Sequence, residues 1–149
     1  MLHLATDASY DPPICACGYV LTRSGSGSEE LVETGSRVLN VYADTRGIEW
    51  CSSRAEYRAL ITGVRAALPF TDEPIICYQD NSAVTASIRE DRESFEPYFR
   101  HSLMSFLGRF RDWHITDIDR ERNETAHQQA RVGLRVARDL LATNELEEP

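Results

Sequence analysis

The sequence predicts an α/β fold, a mixed β-sheet flanked by helices. Three observations predict it. Residues 2–41 contain three strand-like segments joined by short turns, as in an antiparallel meander. Helical and strand-like segments then alternate up to residue 142, in the overall order β-β-β-α-β-α-α-β-α. The chain of 149 residues, 42% of them hydrophobic, is long enough to bury one sizeable core.

The first three strands are predicted at residues 2–8, 14–22 and 31–41. The first, LHLATDAS, alternates apolar and polar residues and is followed by a YDPP turn. The glycine- and serine-rich stretch SGSGS at 24–28 is typical of a hairpin connection between the second and third strands.

Helical spacing of apolar residues begins at Ser53 and continues to Leu68, before Pro69. Two further helices are predicted over 82–90 and about 96–111. Between and after these helices lie two short strands, PIICYQD at 74–80 and HITDID at 114–119.

The last helix is predicted from Glu124 to Ala142, because apolar residues there share one face. The stretch NELEEP that follows is acidic and lacks this pattern. We therefore expect one domain over residues 1–142 and a loose acidic tail over residues 143–149.

The charge balance limits the partners of the chain. Its formal net charge is −8, and all 16 basic residues are arginine. Acidic composition without lysine is typical of halophiles, although a GC-rich genome would produce the same bias. Because phosphate contacts supply most non-specific affinity for nucleic acid, a polyanion would have to meet a local arginine-rich surface or bound cations.

No apolar run is long enough to span a membrane, and the N-terminus lacks a signal-peptide pattern. We expect a cytoplasmic monomer. The four cysteines contain no CxxC pair, so small buried hydrophobic side chains are a better interpretation than a zinc site; they are Cys15, Cys17, Cys51 and Cys77.

Three carboxylates are predicted to converge. Asp7 ends the first predicted strand, Asp80 ends the PIICYQD strand, and Glu56 lies in the first turn of the helix between them. Two like charges about 4 Å apart repel by roughly 4 kcal/mol at an effective dielectric of about 20, so such a cluster needs protons or cations. Oxygen-only ligands at an open sheet edge suit Mg²⁺ or Mn²⁺, and two such ions support phosphodiester hydrolysis.

Each acid also has a structural interpretation. Asp after a strand often caps a turn or helix, and Glu in a first turn complements the helix dipole. Only the joint placement of the three favours a metal site.

The sequence resembles the type 1 ribonuclease H family. The resemblance rests on TDAS with GYVL soon after, RAEYRALITGVRAAL, YQDNSAV and RERNETAHQQA, in the family's order and at compatible spacing. It covers nearly the whole chain, and AEYRAL on a helix is its most specific motif.

The resemblance implies a ribonuclease H-like five-stranded mixed sheet of order 3-2-1-4-5 and two-metal hydrolysis of the RNA strand of an RNA–DNA hybrid. By position, Asp7 corresponds to the acid that bridges both metals, and Glu56 and Asp80 to ligands of the second. His127 falls where the family usually has an Asp that helps to hold the metal carrying the attacking water.

The histidine changes the expected metal preference. Neutral imidazole binds Mg²⁺ weakly and suits Mn²⁺ better. Some family members resemble this one in having His here, so the residue is not read as a lost active site; a helix-surface residue is the plain alternative. Asp119 and Glu124 are candidate auxiliary carboxylates, and DRER stands where some relatives carry a further loop histidine.

Substrate contacts are predicted by position in the family. Hydroxyl and amide groups could contact the minor groove or read 2′-OH groups, although Ser53 and Ser82 are equally well explained as helix caps; the candidates are Ser9, Ser52, Ser53, Ser82 and Asn123. A set of arginines could form a groove for the DNA strand or a solvated face, since acids are interleaved with them; they are Arg89, Arg92, Arg100, Arg109 and Arg111. Trp50 and Trp113 are expected in the core.

The leading hypothesis is a metal-dependent endoribonuclease acting on RNA–DNA hybrids with two Mg²⁺ or Mn²⁺ ions. The alternatives are a catalytically weak nucleic-acid-binding or protein-interaction module on the same fold, and a related DNA resolvase or integrase-like nuclease.

Overall fold

The computed structural model describes residues 1–25, 27–41, 52–90 and 97–147. These residues form a five-stranded sheet whose strands are β1 (Leu2–Asp11), β2 (Ile14–Ser24), β3 (Glu29–Asn40), β4 (Ile75–Gln79) and β5 (Trp113–Asp117). The strand order is β3-β2-β1-β4-β5. The predicted fold class and the 3-2-1-4-5 order are confirmed.

The sheet is mixed. Strands β1, β2 and β3 pair antiparallel, whereas β4 pairs parallel with both β1 and β5. The β1–β4 ladder ends at the pair Ala5 and Tyr78, while β1 continues beside β2 as far as Asp11. The two central strands therefore separate just before Asp7 and Asp80, which opens the sheet edge at that point.

The described residues also form four α-helices: α1 (Ser52–Ala66), α2 (Ser82–Arg89), α3 (Pro97–Leu107) and α4 (Glu124–Glu147). Short 3-10 helices lie at Leu68–Phe70 and Arg120–Asn123. Helix α3 ends earlier than the predicted residue 111, directly before Gly108, a residue that weakens helices. Helix α4 ends five residues later than the predicted Ala142, so 143–147 are helical, whereas the domain boundary at 142 stays a prediction.

The two faces of the sheet bury different side chains. The main core lies under α1 and α3 and includes Leu4, Leu60, Val64 and Leu103, with the half-buried Trp113 packed against it. A smaller cluster joins Ile14 and Ala16 of β2 to Leu134 and Ala137 of α4. Helix α4 thus packs alone, among the described helices, on the face opposite α1.

Cys15, Cys17 and Cys77 are fully buried, as predicted for small hydrophobic side chains. Trp50, Cys51 and Arg92 lie outside the described residues. No helix in the described part of the chain has the length and apolar character needed to cross a membrane.

Candidate metal centre

Three elements bring the acids together. Asp7 and Asp80 each lie two residues beyond the last β1–β4 pair, so both side chains reach the opened edge of the sheet. Asp7 is inside β1 and not at its end, because β1 continues along β2. Glu56 is the fifth residue of α1, after the first turn and not within it as the sequence predicted.

Asp7, Glu56 and Asp80 each offer one carboxylate oxygen to a group in which these atoms all lie within 4.8 Å of one another. Asp7 is 5% exposed and Glu56 is 8% exposed. The Glu56 Oε2 atom is buried with no hydrogen-bond partner among the described residues. The convergence predicted from the sequence is therefore present in the structure.

Burial and mutual repulsion raise the pKa values of two of these carboxyl groups, Glu56 and Asp7. Desolvation, followed by the charges of Asp7 and Asp80, raises the pKa of Glu56 to about 9. Burial also raises the pKa of Asp7, and the hydrogen bond from His127 opposes that shift. Near neutral pH the protonated form of Glu56 is therefore favoured.

His127 lies in the first turn of α4 and meets Asp7. Its Nδ1 atom donates a hydrogen bond of 2.8 Å to Asp7 Oδ2, and its side chain is 34% exposed. A neutral ring that donates through Nδ1 keeps a lone pair on Nε2, which can accept a proton or bind a metal. This contact with the buried cluster favours a site role over the alternative of a helix-surface residue, and metal binding by His127 stays a prediction.

Supporting contacts hold these elements in place, and the sequence reasoning missed most of them. The buried Gln79 Nε2 donates to the Glu56 carbonyl oxygen at 2.9 Å and ties β4 to α1. Arg120 Nε lies 3.8 Å from Asp80 Oδ2. The signals in the sequence were a polar residue at the end of the apolar run IICYQ and an arginine directly after the last predicted strand.

Asn123, which the sequence analysis names as a candidate substrate contact, is buried and not at the surface. It is 2% exposed, and its Nδ2 atom donates a hydrogen bond of 2.9 Å to the Thr6 carbonyl oxygen. Its other amide atom, Oδ1, is buried with no partner among the described residues. The contact holds the start of α4 against β1, one residue before Asp7.

The four serines predicted to contact substrate differ in exposure. Ser9 is half-buried and shares a groove with His127. Ser53 is half-buried, Ser82 is exposed, and the side chain of Ser52 lies outside the described residues. Ser82 does not cap α2, because Asn81 Oδ1 accepts the Val84 N–H at 3.2 Å. Substrate contact by these serines stays a prediction.

The two auxiliary carboxylates are exposed and do not belong to the three-acid group. Asp119 directly precedes the second 3-10 helix, and Glu124 accepts a hydrogen bond of 3.4 Å from Gln128 Nε2.

The candidate DNA-strand arginines have mixed roles among the described residues. Arg89 lies 3.5 Å from Asp117, and the Arg109 guanidinium lies 5.3 Å from the centre of the Phe106 ring. A DNA-strand groove at this end of the sheet stays a prediction.

The donor set fits a hard divalent cation. The three acids offer oxygen ligands, Glu56 also carries a buried oxygen with no partner in the described part of the chain, and three carboxylates confined within a few ångströms are stabilised by a positive ion. Asp7, Glu56 and Asp80 would hold such an ion, and His127 lies close enough to Asp7 to contribute at its margin.

A sequence-family comparison places most of the chain in one family. The model of the family described as "Reverse transcriptase-like" matches residues 30–133 of the chain. Among curated proteins, none matches the chain by sequence.

Several solved structures share the fold. Ribonuclease H1 of the halophilic archaeon Halobacterium salinarum has a TM-score of 0.75 and 25% identity over 89% of this chain and 96% of that one. The N-terminal ribonuclease H domain of a Mycobacterium tuberculosis protein has a TM-score of 0.75 and 14% identity over 89% and 98%. LC11 ribonuclease H1, isolated from compost and solved with an RNA/DNA hybrid, has a TM-score of 0.73 and 16% identity over 92% and 99%.

Proposed function

The chain belongs to the reverse transcriptase-like family and has the ribonuclease H fold, and from this premise we propose that it is a metal-dependent endoribonuclease. Its substrate is the RNA strand of RNA–DNA hybrids. The observation that carries the proposal is the cluster of Asp7, Glu56 and Asp80, whose carboxylate oxygens meet within 4.8 Å beside His127.

Side chains of the protein would hold the metal ions and keep their own positions fixed. Asp7, between the other acids and His127, is the group suited to face two cations, while Glu56 and Asp80 complete the oxygen set. Two Mg²⁺ or Mn²⁺ ions, when bound, supply water activation and stabilisation of the leaving oxygen. Gln79 and Asn123 fix α1 and α4 against β1 and β4, so the ligands keep their positions.

We assign His127 the place of a fourth ligand. Replacing a carboxylate by imidazole removes one negative charge from the site and favours Mn²⁺ over Mg²⁺. The hydrogen bond to Asp7 holds the imidazole ring beside the three acids.

One cleavage assay tests the function and the role of His127 together. Labelled RNA–DNA hybrid is incubated with Mg²⁺ or Mn²⁺ and with wild type, Asp7→Asn or His127→Asp. We expect cleavage by the wild type, loss of cleavage in Asp7→Asn, and a shift of the Mg²⁺/Mn²⁺ activity ratio toward Mg²⁺ in His127→Asp by roughly tenfold.

The alternatives give different results. No cleavage by the wild type in either metal would overturn the enzymatic proposal and favour a binding module, the reading motivated by the acidic charge and the histidine. Faster cleavage of duplex or branched DNA than of hybrid would favour a DNA nuclease. An unchanged metal ratio in His127→Asp would exclude His127 as a ligand without affecting the rest.

A further inference from the structure

A groove runs from the metal centre along α4, and we propose that it binds the phosphate backbone of the substrate strand where that strand leaves the cluster. This inference rests on the proposed function. The groove has a volume of about 700 Å³ and lies between the later part of β1 and the exposed side of α4. Ser9 and His127 line its end at the metal centre.

The groove is cationic along its length. Arg131, Arg135 and Arg138 follow His127 at intervals of three or four residues, which places them on one helix face. From His127 to Arg138 the helix rises about 16 Å, the axial length of roughly five nucleotides of one strand. No carboxylate lines the groove among the described residues.

Two of the three arginines are available to a ligand. Arg138 donates a hydrogen bond of 3.0 Å to Asp11 Oδ2, so it links α4 to the end of β1. Arg131 and Arg135 are exposed and have no acidic partner in the described part of the chain. In a chain of net charge −8, two such arginines beside a cluster of acids form a local surface that attracts anions.

Continuity with the metal centre identifies the occupant. A strand whose phosphate lies at Asp7 has neighbouring phosphates on both sides, and one of these directions leads past Ser9 into the groove. Arginine fits phosphate by paired N–H donors, and Gln129 of the groove adds an amide donor without negative charge. The chemistry is that of a sequence-independent backbone contact, with no base readout.

The test compares the double variant Arg131→Gln/Arg135→Gln with wild type and with the control Arg65→Gln. Arg65 is exposed in the last turn of α1, at the other end of that helix from Glu56, so its replacement removes charge away from the groove. Binding is measured by fluorescence anisotropy in an Asp7→Asn background over a salt series. The ligands are a blunt hybrid and the same hybrid with its RNA or its DNA strand extended at either end.

We expect the double variant to lower the slope of log K against log salt by about 1.5, because each lost phosphate contact removes roughly 0.7–0.9. In the active protein its KM for hybrid should rise while kcat is retained, and Arg65→Gln should change neither. An RNA extension at one end should tighten binding by the wild type more than by the double variant.

The outcomes separate this inference from the proposed function. If the wild type cleaves hybrid and the double variant keeps the same salt slope and KM, the groove does not bind the backbone, although the enzyme assignment survives. A gain in affinity from a DNA extension, but from neither RNA extension, would also overturn it. If the wild type neither binds nor cleaves hybrid, the proposed function itself is wrong.

Discussion

At Glu56, burial and charge oppose each other. The side chain is 8% exposed, it faces Asp7 and Asp80, and its Oε2 atom has no partner among the described residues. For stability alone, glutamine would serve at this position at little cost, because it keeps the shape of the side chain without the charge. A buried, negatively charged side chain is the expected arrangement where a carboxylate binds a cation.

This conflict predicts a pH dependence. The pKa of Glu56 is raised from 4.5 to about 9, so between these pH values Glu56 keeps its proton in the folded protein and loses it in the unfolded chain. This difference in proton binding stabilises the folded protein at low pH, and the stabilisation declines as the pH rises. The resulting stability is fully present below pH 4.5 and is lost as the pH rises through about 9. Without metal, Glu56→Gln should therefore melt higher than wild type at pH 8, by roughly 2–4 °C for each kcal/mol regained, and the gap should narrow toward pH 5.

The measurement is thermal unfolding in EDTA at both pH values, with Glu121→Gln as the control because Glu121 is exposed. Divalent metal should raise the melting temperature of wild type and not that of Glu56→Gln. A wild type as stable as the variant at pH 8 would contradict the raised pKa.

At the scale of elements, the packing of α4 on β2 places His127. Asp7 pairs with Gly18 across the β1–β2 ladder, and α4 passes directly over Gly18. A Cβ atom on Gly18 would lie 2.3 Å from Ala130 N and 2.5 Å from the Ala126 carbonyl oxygen, which are backbone atoms that cannot rotate away. The absence of a side chain at Gly18 therefore lets the helix approach closely enough for His127 to reach Asp7.

Gly18→Ala should displace α4 and weaken both the fold and the site. We expect a loss of about 3 kcal/mol in the free energy of unfolding, at the upper end of ordinary overpacking, measured by urea denaturation. Hybrid cleavage should fall as well, because the distance from His127 to Asp7 increases. Gly25→Ala is the matched control, since its nearest contact is Ser28 O at 4.0 Å. Equal stability of the two variants would disprove the close-packing argument.

Element boundaries show where sequence reasoning reaches its limit. The period of apolar residues located all five strands and four helices, because burial of one face imposes that period. It did not predict that β1 continues to Asp11 or that α3 stops at Leu107, since these ends depend on pairing with β2 and on packing.

At the scale of the whole molecule, the charge distribution connects stability with binding. The chain carries 24 acidic and 16 basic residues, the latter all arginine, and its net charge is −8. The arginines Arg131 and Arg135 belong to a groove beside the metal centre, whereas the acids Asp119, Glu121 and Glu124 are exposed close to the start of α4. Salt should therefore act on stability and on substrate binding in opposite directions.

Added KCl is expected to raise the melting temperature of the metal-free protein. If the effect is only screening of surface charge, it should be nearly complete by about 1 M, where the Debye length is about 3 Å. A rise that continues well above that concentration would support halophily, and a melting temperature independent of salt would leave the GC-rich genome as the explanation for the arginine bias. Thermal unfolding over a KCl series in EDTA makes the distinction.

The sequence by itself determined the fold class, the order of the elements and the convergence of Asp7, Glu56 and Asp80. These follow from local periodicity and from the rule that parallel strands bring their carboxyl ends to one edge. Only the tertiary structure decided that His127 donates to Asp7, that Asn123 is buried against Thr6 and that Arg131 and Arg135 extend the site along α4. The physical reason is that these contacts depend on how closely a helix approaches a strand more than a hundred residues away, and that distance is set by packing at Gly18 and not by any pattern within α4.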